Sequence, residues 1–110
     1  MKLAIMINAQ DDWQQTNAHA MALLDAFVQN NHEIVGVFFY GRSVNMVTQQ
    51  DTSRQWLNWI DQNHTSVVVC STMLTQEQLT TDAENLGFPV AGMAAWVNWC
   101  QQADRIMELT

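Results

Sequence analysis

The residue of this chain most able to act as a nucleophile is Cys70, which directly follows the apolar residues 67–69. Three consecutive valines are typical of a buried strand, and we expect a helix to begin after it. Free backbone N–H groups at a helix start stabilise a thiolate, and Ser71 or Thr72 is predicted to cap that helix. The pattern therefore indicates a reactive thiol, with a small buried hydrophobic residue as the alternative.

The second cysteine and the histidines carry weaker signals. Cys100 lies inside a helical pattern without a basic or capping neighbour, so we expect it to pack in the core or at an interface. His32 and His64 each precede a predicted strand, which places them at the sheet edge opposite Cys70, and His19 lies in the first predicted helix. Because the chain has no HxxxH motif and no Cys/His cluster, no metal site is expected.

The segment after the first strand contains the acidic pair Asp11 and Asp12. Phospho-receiver domains have such a pair, but they also need an aspartate where this chain has Cys70, and a later lysine, whereas Lys2 is the only lysine here. The pair is therefore interpreted as a solvated loop or as the cap of the next helix. The same segment contains no glycine, which argues against a phosphate loop for a flavin nucleotide, and no cofactor is expected.

Hydrophobic periodicity divides the chain into alternating strands and helices. Helices are predicted over residues 18–28 and 91–102, and residues 71–86 also have a helical leaning. A further helix is predicted to begin at a capping Asp51, with apolar residues that face the sheet, namely Trp56, Leu57 and Ile60. Strands are predicted over residues 2–8, 33–40, 66–70 and 104–109.

This alternation predicts one domain over residues 1–110 with a three-layer α/β/α architecture and a mostly parallel sheet of about five strands. The carboxyl ends of parallel strands lie at one edge of the sheet, where binding sites form. That edge collects residues 8–15, 41–45 and 70–72. Cys70 is the nucleophile among them.

Composition limits the classes of function. Eleven acidic residues oppose four scattered basic ones, for a formal charge of −7, which disfavours direct nucleic-acid binding and favours a protein partner. Residues 1–7, which are apolar apart from Lys2, are too few for a membrane span or a signal peptide, so we expect a cytoplasmic protein with free thiols. Five tryptophans and seven methionines exceed what one small core easily encloses, which indicates subunit interfaces.

Several segments resemble the DsrE/TusD family of sulfur-relay proteins. The clearest is residues 32–40, HEIVGVFFY, which is similar to the second strand of that family. Residues 15–18 and 92–109 are also similar. Cys70, at the end of its valine run, stands where the family carries its active cysteine.

The resemblance implies a DsrEFH-like fold in which Cys70 accepts sulfane sulfur as a persulfide, for tRNA 2-thiolation or sulfur oxidation. It also implies sulfur donor and acceptor carrier proteins as partners, and a trimer or hexamer. The alternative is a non-catalytic DsrE-like subunit with a structural or interaction role. The chain departs from the family pattern at residues 10–13, which lack the expected glycine, and at residues 75–78, which lack basic side chains. An acidic rim there would repel an acidic donor.

Overall fold

The computed structural model describes residues 1–110 and contains one five-stranded sheet between two layers of helices. All neighbouring strands are parallel. The predicted α/β class with a mostly parallel sheet is therefore confirmed. The strands are β1 (Lys2–Ala9), β2 (Glu33–Gly41), β3 (Val67–Cys70), β4 (Val90–Ala91) and β5 (Arg105–Leu109), in the spatial order β4-β3-β2-β1-β5.

The helices fill the connections between the strands. A 3-10 segment over Arg42–Thr48 follows β2, where the sequence indicated only a loop. None of the helices is both long and apolar enough to cross a membrane. The α-helices are α1 (Trp13–Gln29), α2 (Gln50–Asn63), α3 (Ser71–Gln76), α4 (Thr80–Leu86) and α5 (Met93–Gln102).

The two faces of the sheet bury very different amounts of apolar surface. One face packs against α1, α2, α3 and α4 and forms the larger cluster, which contains 19 buried residues, among them Leu24, Trp56 and Leu74. The other face is covered by α5 alone and forms the smaller cluster, whose three buried residues are Met6, Phe38 and Cys70. Cys70 thus lies on the face of the sheet that a single helix covers.

Several element boundaries differ from the sequence prediction for local reasons. α1 begins five residues earlier than predicted, at Trp13, because the Asp12 carboxylate accepts a hydrogen bond from the Gln15 N–H at 3.1 Å and caps the helix. Of the two interpretations of the acidic pair, a solvated loop or a helix cap, the cap describes Asp12. Asp51 is not a cap but lies in the first turn of α2, and Gln49 occupies the cap position without a side-chain bond.

The segment after Cys70 also differs from its prediction. Neither Ser71 nor Thr72 caps the helix there, because α3 begins at Ser71 and Cys70 itself occupies the N-cap position. Residues 71–86 form two short helices rather than one, and between them Gln78 takes a left-handed conformation with φ of 59°. β4 is the one strand for which the sequence predicted no residues. It has only two residues and is too short to produce a periodic pattern.

Candidate functional site

The connections after β3 and β4 leave the sheet toward opposite faces. α3 follows β3 and contributes Leu74 to the larger cluster, whereas α5 follows β4 and packs against Phe38 on the other face. The two strands are neighbours, with Cys70 opposite Ala91 in the register. In open parallel sheets, binding sites form at the carboxyl edge where neighbouring connections diverge. Cys70 therefore lies at the topological switch point of this sheet.

The backbone places Cys70 at the N-cap position of α3. Cys70 is extended, with φ of −64° and ψ of 121°, and no side chain caps the N–H groups in the first turn of α3. The N-cap position is where a side-chain acceptor reaches the free N–H groups of the first helical turn. A negatively charged sulfur at this position can accept from the same groups.

The side chain of Cys70 is completely buried in the isolated chain. It belongs to the smaller cluster together with Met6 and Phe38. The ring of Phe38 lies 6.1 Å from Trp96 and 6.4 Å from Trp99, measured between ring centroids, so α5 covers this cluster with two indoles. The thiol is thus enclosed by aromatic and thioether groups, and no cavity of the structure is lined by it.

The loops at the ends of β1 and β2 are joined by hydrogen bonds. The Ala9 N–H donates to Ser43 Oγ at 2.9 Å, and Asn17 Nδ2 donates to the Ser43 carbonyl at 3.1 Å. Asn8 Nδ2 donates to Glu108 Oε2 at 2.8 Å, which ties the end of β1 to β5. The structure therefore brings the predicted segments 8–15 and 41–45 together at the carboxyl edge. Their side chains stabilise the loops there through hydrogen bonds and supply no thiol nucleophile.

Cys100 lies on α5 and is partly buried. Burial raises the pKa of the Cys100 thiol above its usual value. A raised pKa keeps this thiol protonated at neutral pH and therefore weakly nucleophilic. Cys100 is not among the buried core residues, and its packing at an interface stays a prediction.

The histidines lie away from Cys70. His64 caps the carboxyl end of α2 in a left-handed conformation, and His32 packs edge-on against Phe27 at 6.0 Å, each just before a strand. His19 lies within α1. The prediction that His32 and His64 occupy the opposite edge is confirmed. No three His, Cys, Asp or Glu side chains are grouped closely enough to hold a metal ion.

Sequence reasoning missed the cover over the thiol. The signal was present, because Trp96 and Trp99 are spaced three residues apart and so fall on one face of a helix. The sequence indicated that Trp56 faces the sheet and that the surplus of tryptophans reflects subunit interfaces, but it did not place Trp96 and Trp99 over the smaller cluster. Gly36 was the second signal, because a glycine inside a strand often marks the close approach of another element. In the structure, a Cβ at this position would overlap the indole of Trp99.

Fold and site together define a class: an α/β protein with a parallel sheet and a single cysteine at the switch point. The sequence matches the model of the DsrE/DsrF-like family over residues 1–109. The chain therefore belongs to the DsrE/DsrF-like family, which confirms the resemblance at the level of DsrE.

Two known proteins are similar over nearly the whole chain. A protein of Allochromatium vinosum, provisionally named as the sulfurtransferase DsrE, is 28% identical over 126 aligned positions that cover 97% of each chain. A conserved protein of unknown function from Bacteroides thetaiotaomicron has a solved structure with a TM-score of 0.72. It is 18% identical, and the match covers 97% of this chain and 93% of the other. The second similarity supports the fold alone.

Proposed function

We propose that this protein is a sulfurtransferase that carries sulfane sulfur as a persulfide on Cys70. The observation that carries the proposal is the position of Cys70, which ends β3, occupies the N-cap of α3 and lies at the switch point of the sheet. The family and the name given to the Allochromatium vinosum relative support it.

The chemistry requires one thiol and no net oxidation. The Cys70 thiolate attacks the outer sulfur of a donor persulfide, and a new S–S bond forms while the donor S–S bond breaks. The donor leaves as a thiolate, which takes a proton from water. Cys70 then carries the persulfide, and attack by an acceptor thiolate on its outer sulfur regenerates the Cys70 thiolate. No resolving cysteine is needed, so Cys100 has no part in this cycle.

Access to the thiol requires that α5 move. No residue of α5 is buried, and the helix is held over the smaller cluster mainly through Ala95, Trp96 and Trp99. An element with few buried contacts opens at a small fraction of the global unfolding free energy. A docking partner that displaces α5, or a shift of α5 within an assembly, would uncover Cys70.

We further propose protein partners on both sides of the transfer, a sulfur donor and an acceptor carrier, in a tRNA 2-thiolation or sulfur-oxidation type of pathway. The chain has a formal charge of −7, so it is not expected to contact nucleic acid itself. The reducing cytoplasm is the proposed compartment, since it would keep both cysteines free to act as thiols.

A symmetric oligomer, a trimer or hexamer, is proposed from the surface around α5. Met93, Val97 and Ile106 are 43%, 52% and 55% exposed on the face of the sheet that one helix covers. α5 has no charged residue, so a second copy of this acidic chain can approach it without placing charges of the same sign together. Exposed apolar patches of this kind are usually interaction surfaces.

A second candidate function is a non-catalytic DsrE-like subunit. The complete burial of Cys70 favours it, because a buried free cysteine usually acts as a small hydrophobic residue. Reactivity decides between the two. Incubation with a small-molecule persulfide donor is expected to add about 32 Da, one sulfur atom, to the wild-type chain and to Cys100→Ser but not to Cys70→Ser. An adduct that persists in Cys70→Ser would favour the subunit role.

A further inference from the structure

Tyr40 is the neighbour of Cys70 across the sheet. The parallel register pairs Phe39 of β2 with Val69 of β3. One further step along both strands sets Tyr40 beside Cys70. Neighbouring strands lie about 4.8 Å apart, so side chains at one level that point to the same face are adjacent. Tyr40 and Cys70 share a face, because Tyr40 packs against the smaller cluster, to which Cys70 belongs.

The phenol of Tyr40 has an unused hydrogen-bond donor. Its ring lies 6.4 Å from the ring of Phe38, measured between centroids. Its hydroxyl makes no hydrogen bond within the chain and keeps contact with solvent. Tyr40 is only partly buried, whereas Phe38 and Cys70 are completely buried. The border between the enclosed cluster and the solvent therefore passes through Tyr40.

The other side chains at this level of the sheet do not offer a free hydroxyl. Asn8 of β1 pairs with Tyr40, and Ala91 of β4 pairs with Cys70, so the four residues form one row across the sheet. The Asn8 amide nitrogen already donates to Glu108 at 2.8 Å, and Ala91 has no polar side chain. Tyr40 is therefore the hydroxyl donor of the row.

The ionisable groups around this row are few. α3 and β4 have none, and α5 has only Cys100. The remaining ones on the strands of the row, on β5 and in the connections at the carboxyl edge are Lys2, Asp11, Asp12, Glu33, Arg42, Arg105 and Glu108.

A loaded Cys70 needs a donor at a different place from the empty thiol. The inner sulfur of a persulfide stays at the N-cap of α3, where the first N–H groups of the helix are free. The outer sulfur carries the negative charge of a persulfide anion, and it is one S–S bond, about 2 Å, further out. Hydrogen bonds to an ionised acceptor are stronger than those between neutral groups, and a phenolic O–H can donate one.

We propose that the Tyr40 hydroxyl donates a hydrogen bond to the outer sulfur of the Cys70 persulfide and holds the carried sulfur as an anion. This inference rests on the proposed function and adds a second residue to the loaded site. The proton stays on the Tyr40 oxygen, and no covalent bond forms or breaks through it. Tyr40 acts on the loaded state, so its hydroxyl should matter little to the empty thiol.

The test uses a persulfide that is made chemically in Cys100→Ser, so that it does not depend on transfer from a donor. In urea, an aromatic disulfide forms a mixed disulfide with Cys70. Hydrosulfide then attacks the Cys70 sulfur, the aromatic thiolate leaves, and the loaded chain is refolded. The near-ultraviolet absorbance of the persulfide anion is followed against pH. Tyr40→Phe should raise the apparent pKa of the persulfide by about one pH unit, since a hydrogen bond to a charged group is lost.

Ser71→Ala is the matched control, because it removes the hydroxyl of the residue that follows Cys70 along the chain. It should leave the pKa of the persulfide as it is in the parent chain. Tyr40→Phe keeps the ring, so its urea unfolding and the alkylation rate of its empty Cys70 should match the parent.

The proposal is overturned if Tyr40→Phe leaves the pKa of the persulfide unchanged, or if Ser71→Ala raises it as much. Failure of the carrier function has a different signature. A wild-type chain that takes no sulfur from a persulfide donor, while the chemically loaded chain still responds to Tyr40→Phe, would support the contact and contradict the carrier function.

Discussion

The indole of Trp99 lies directly on Gly36, at a point of β2 where any side chain would overlap it. This contact seats α5 on the sheet, and α5 in turn packs against the smaller cluster, to which Cys70 belongs. Gly36 lies within the segment that most resembles the DsrE family, so the close approach of helix and strand gives a physical reason for a glycine in that strand. We therefore expect the packing of α5 to limit access to the proposed nucleophile.

Gly36→Ala should loosen α5. The added methyl overlaps the Trp99 ring, which must shift, and overpacking of this kind costs about 1–3 kcal/mol in the free energy of unfolding. Local opening of α5 should also raise the alkylation rate of Cys70 by about tenfold. Urea unfolding and timed alkylation at pH 7 measure the two effects.

Gly92→Ala is the matched control for that substitution. A Cβ at Gly92 has only Ser71 Oγ within reach, at 3.9 Å, and the residue has a negative φ. The loss of a glycine N-cap should cost less than about 1 kcal/mol. Equal effects of Gly36→Ala and Gly92→Ala would show that the contact with Trp99 does not seat the helix.

The reactivity of Cys100 should depend on pH. Because burial raises the pKa of Cys100, its alkylation should stay slow at pH 7 and accelerate only above the ordinary thiol value of 9.0. A raised folded pKa means that the folded state favours the protonated thiol. The stability that this contributes is present below the unfolded pKa and is lost as pH rises through the folded pKa.

The measurement is the pH profile of Cys100 alkylation in Cys70→Ser, together with urea unfolding of wild type between neutral pH and pH values above 9.0. The free energy of unfolding of wild type should decrease at alkaline pH, and that of Cys100→Ser should decrease less steeply. Rapid labelling of Cys100 at pH 7 would contradict the account.

Asp12→Ala should destabilise the fold by about 1 kcal/mol, because it removes the carboxylate that caps α1. Asp11→Ala removes the same charge from the neighbouring position, where no capping bond is made, and should stay within about 0.5 kcal/mol of wild type. Urea unfolding at constant pH compares the two variants. If Asp11→Ala lost more unfolding free energy than Asp12→Ala, the negative charge and not the capping hydrogen bond would be what stabilises this end of α1.

The purified chain should be an oligomer at micromolar concentration, with no dominant species at the monomer mass of 12.5 kDa. Val97→Asp should shift it toward monomer, because a charge on the exposed apolar surface of α5 must be desolvated on association. Asn98→Asp, an equal charge at the next position of the same helix, is the control. Light scattering gives the masses, and a monomeric wild type would remove the oligomer proposal.

The sequence predicted the layers of this fold well because long elements have strong periodicity. The boundaries predicted for the buried strands β1 and β2 and for the helix α5 lie within two residues of the observed ones. β4 was not predicted because two residues at a sheet edge have no periodic pattern. The 3-10 segment was not predicted because its turns are short.

The candidate site could be placed but not described from the sequence. The valine run and the helical pattern after it were enough to put Cys70 at the carboxyl edge. Its burial depends on which face α5 covers, and that follows from the strand order, in which β4 and β5 lie at opposite edges. Strand order is a tertiary property that local periodicity does not encode.

The most direct test of the sulfur-carrier account is to locate the sulfur on the wild-type chain. The protein is incubated with a persulfide donor, trapped with iodoacetamide, digested without reductant and analysed by peptide mass spectrometry. The account predicts an additional sulfur of about 32 Da on the peptide that contains Cys70, absent from the Cys100 peptide and removed by reductant. Sulfur on Cys100 alone, or on neither cysteine with several donors, would contradict it.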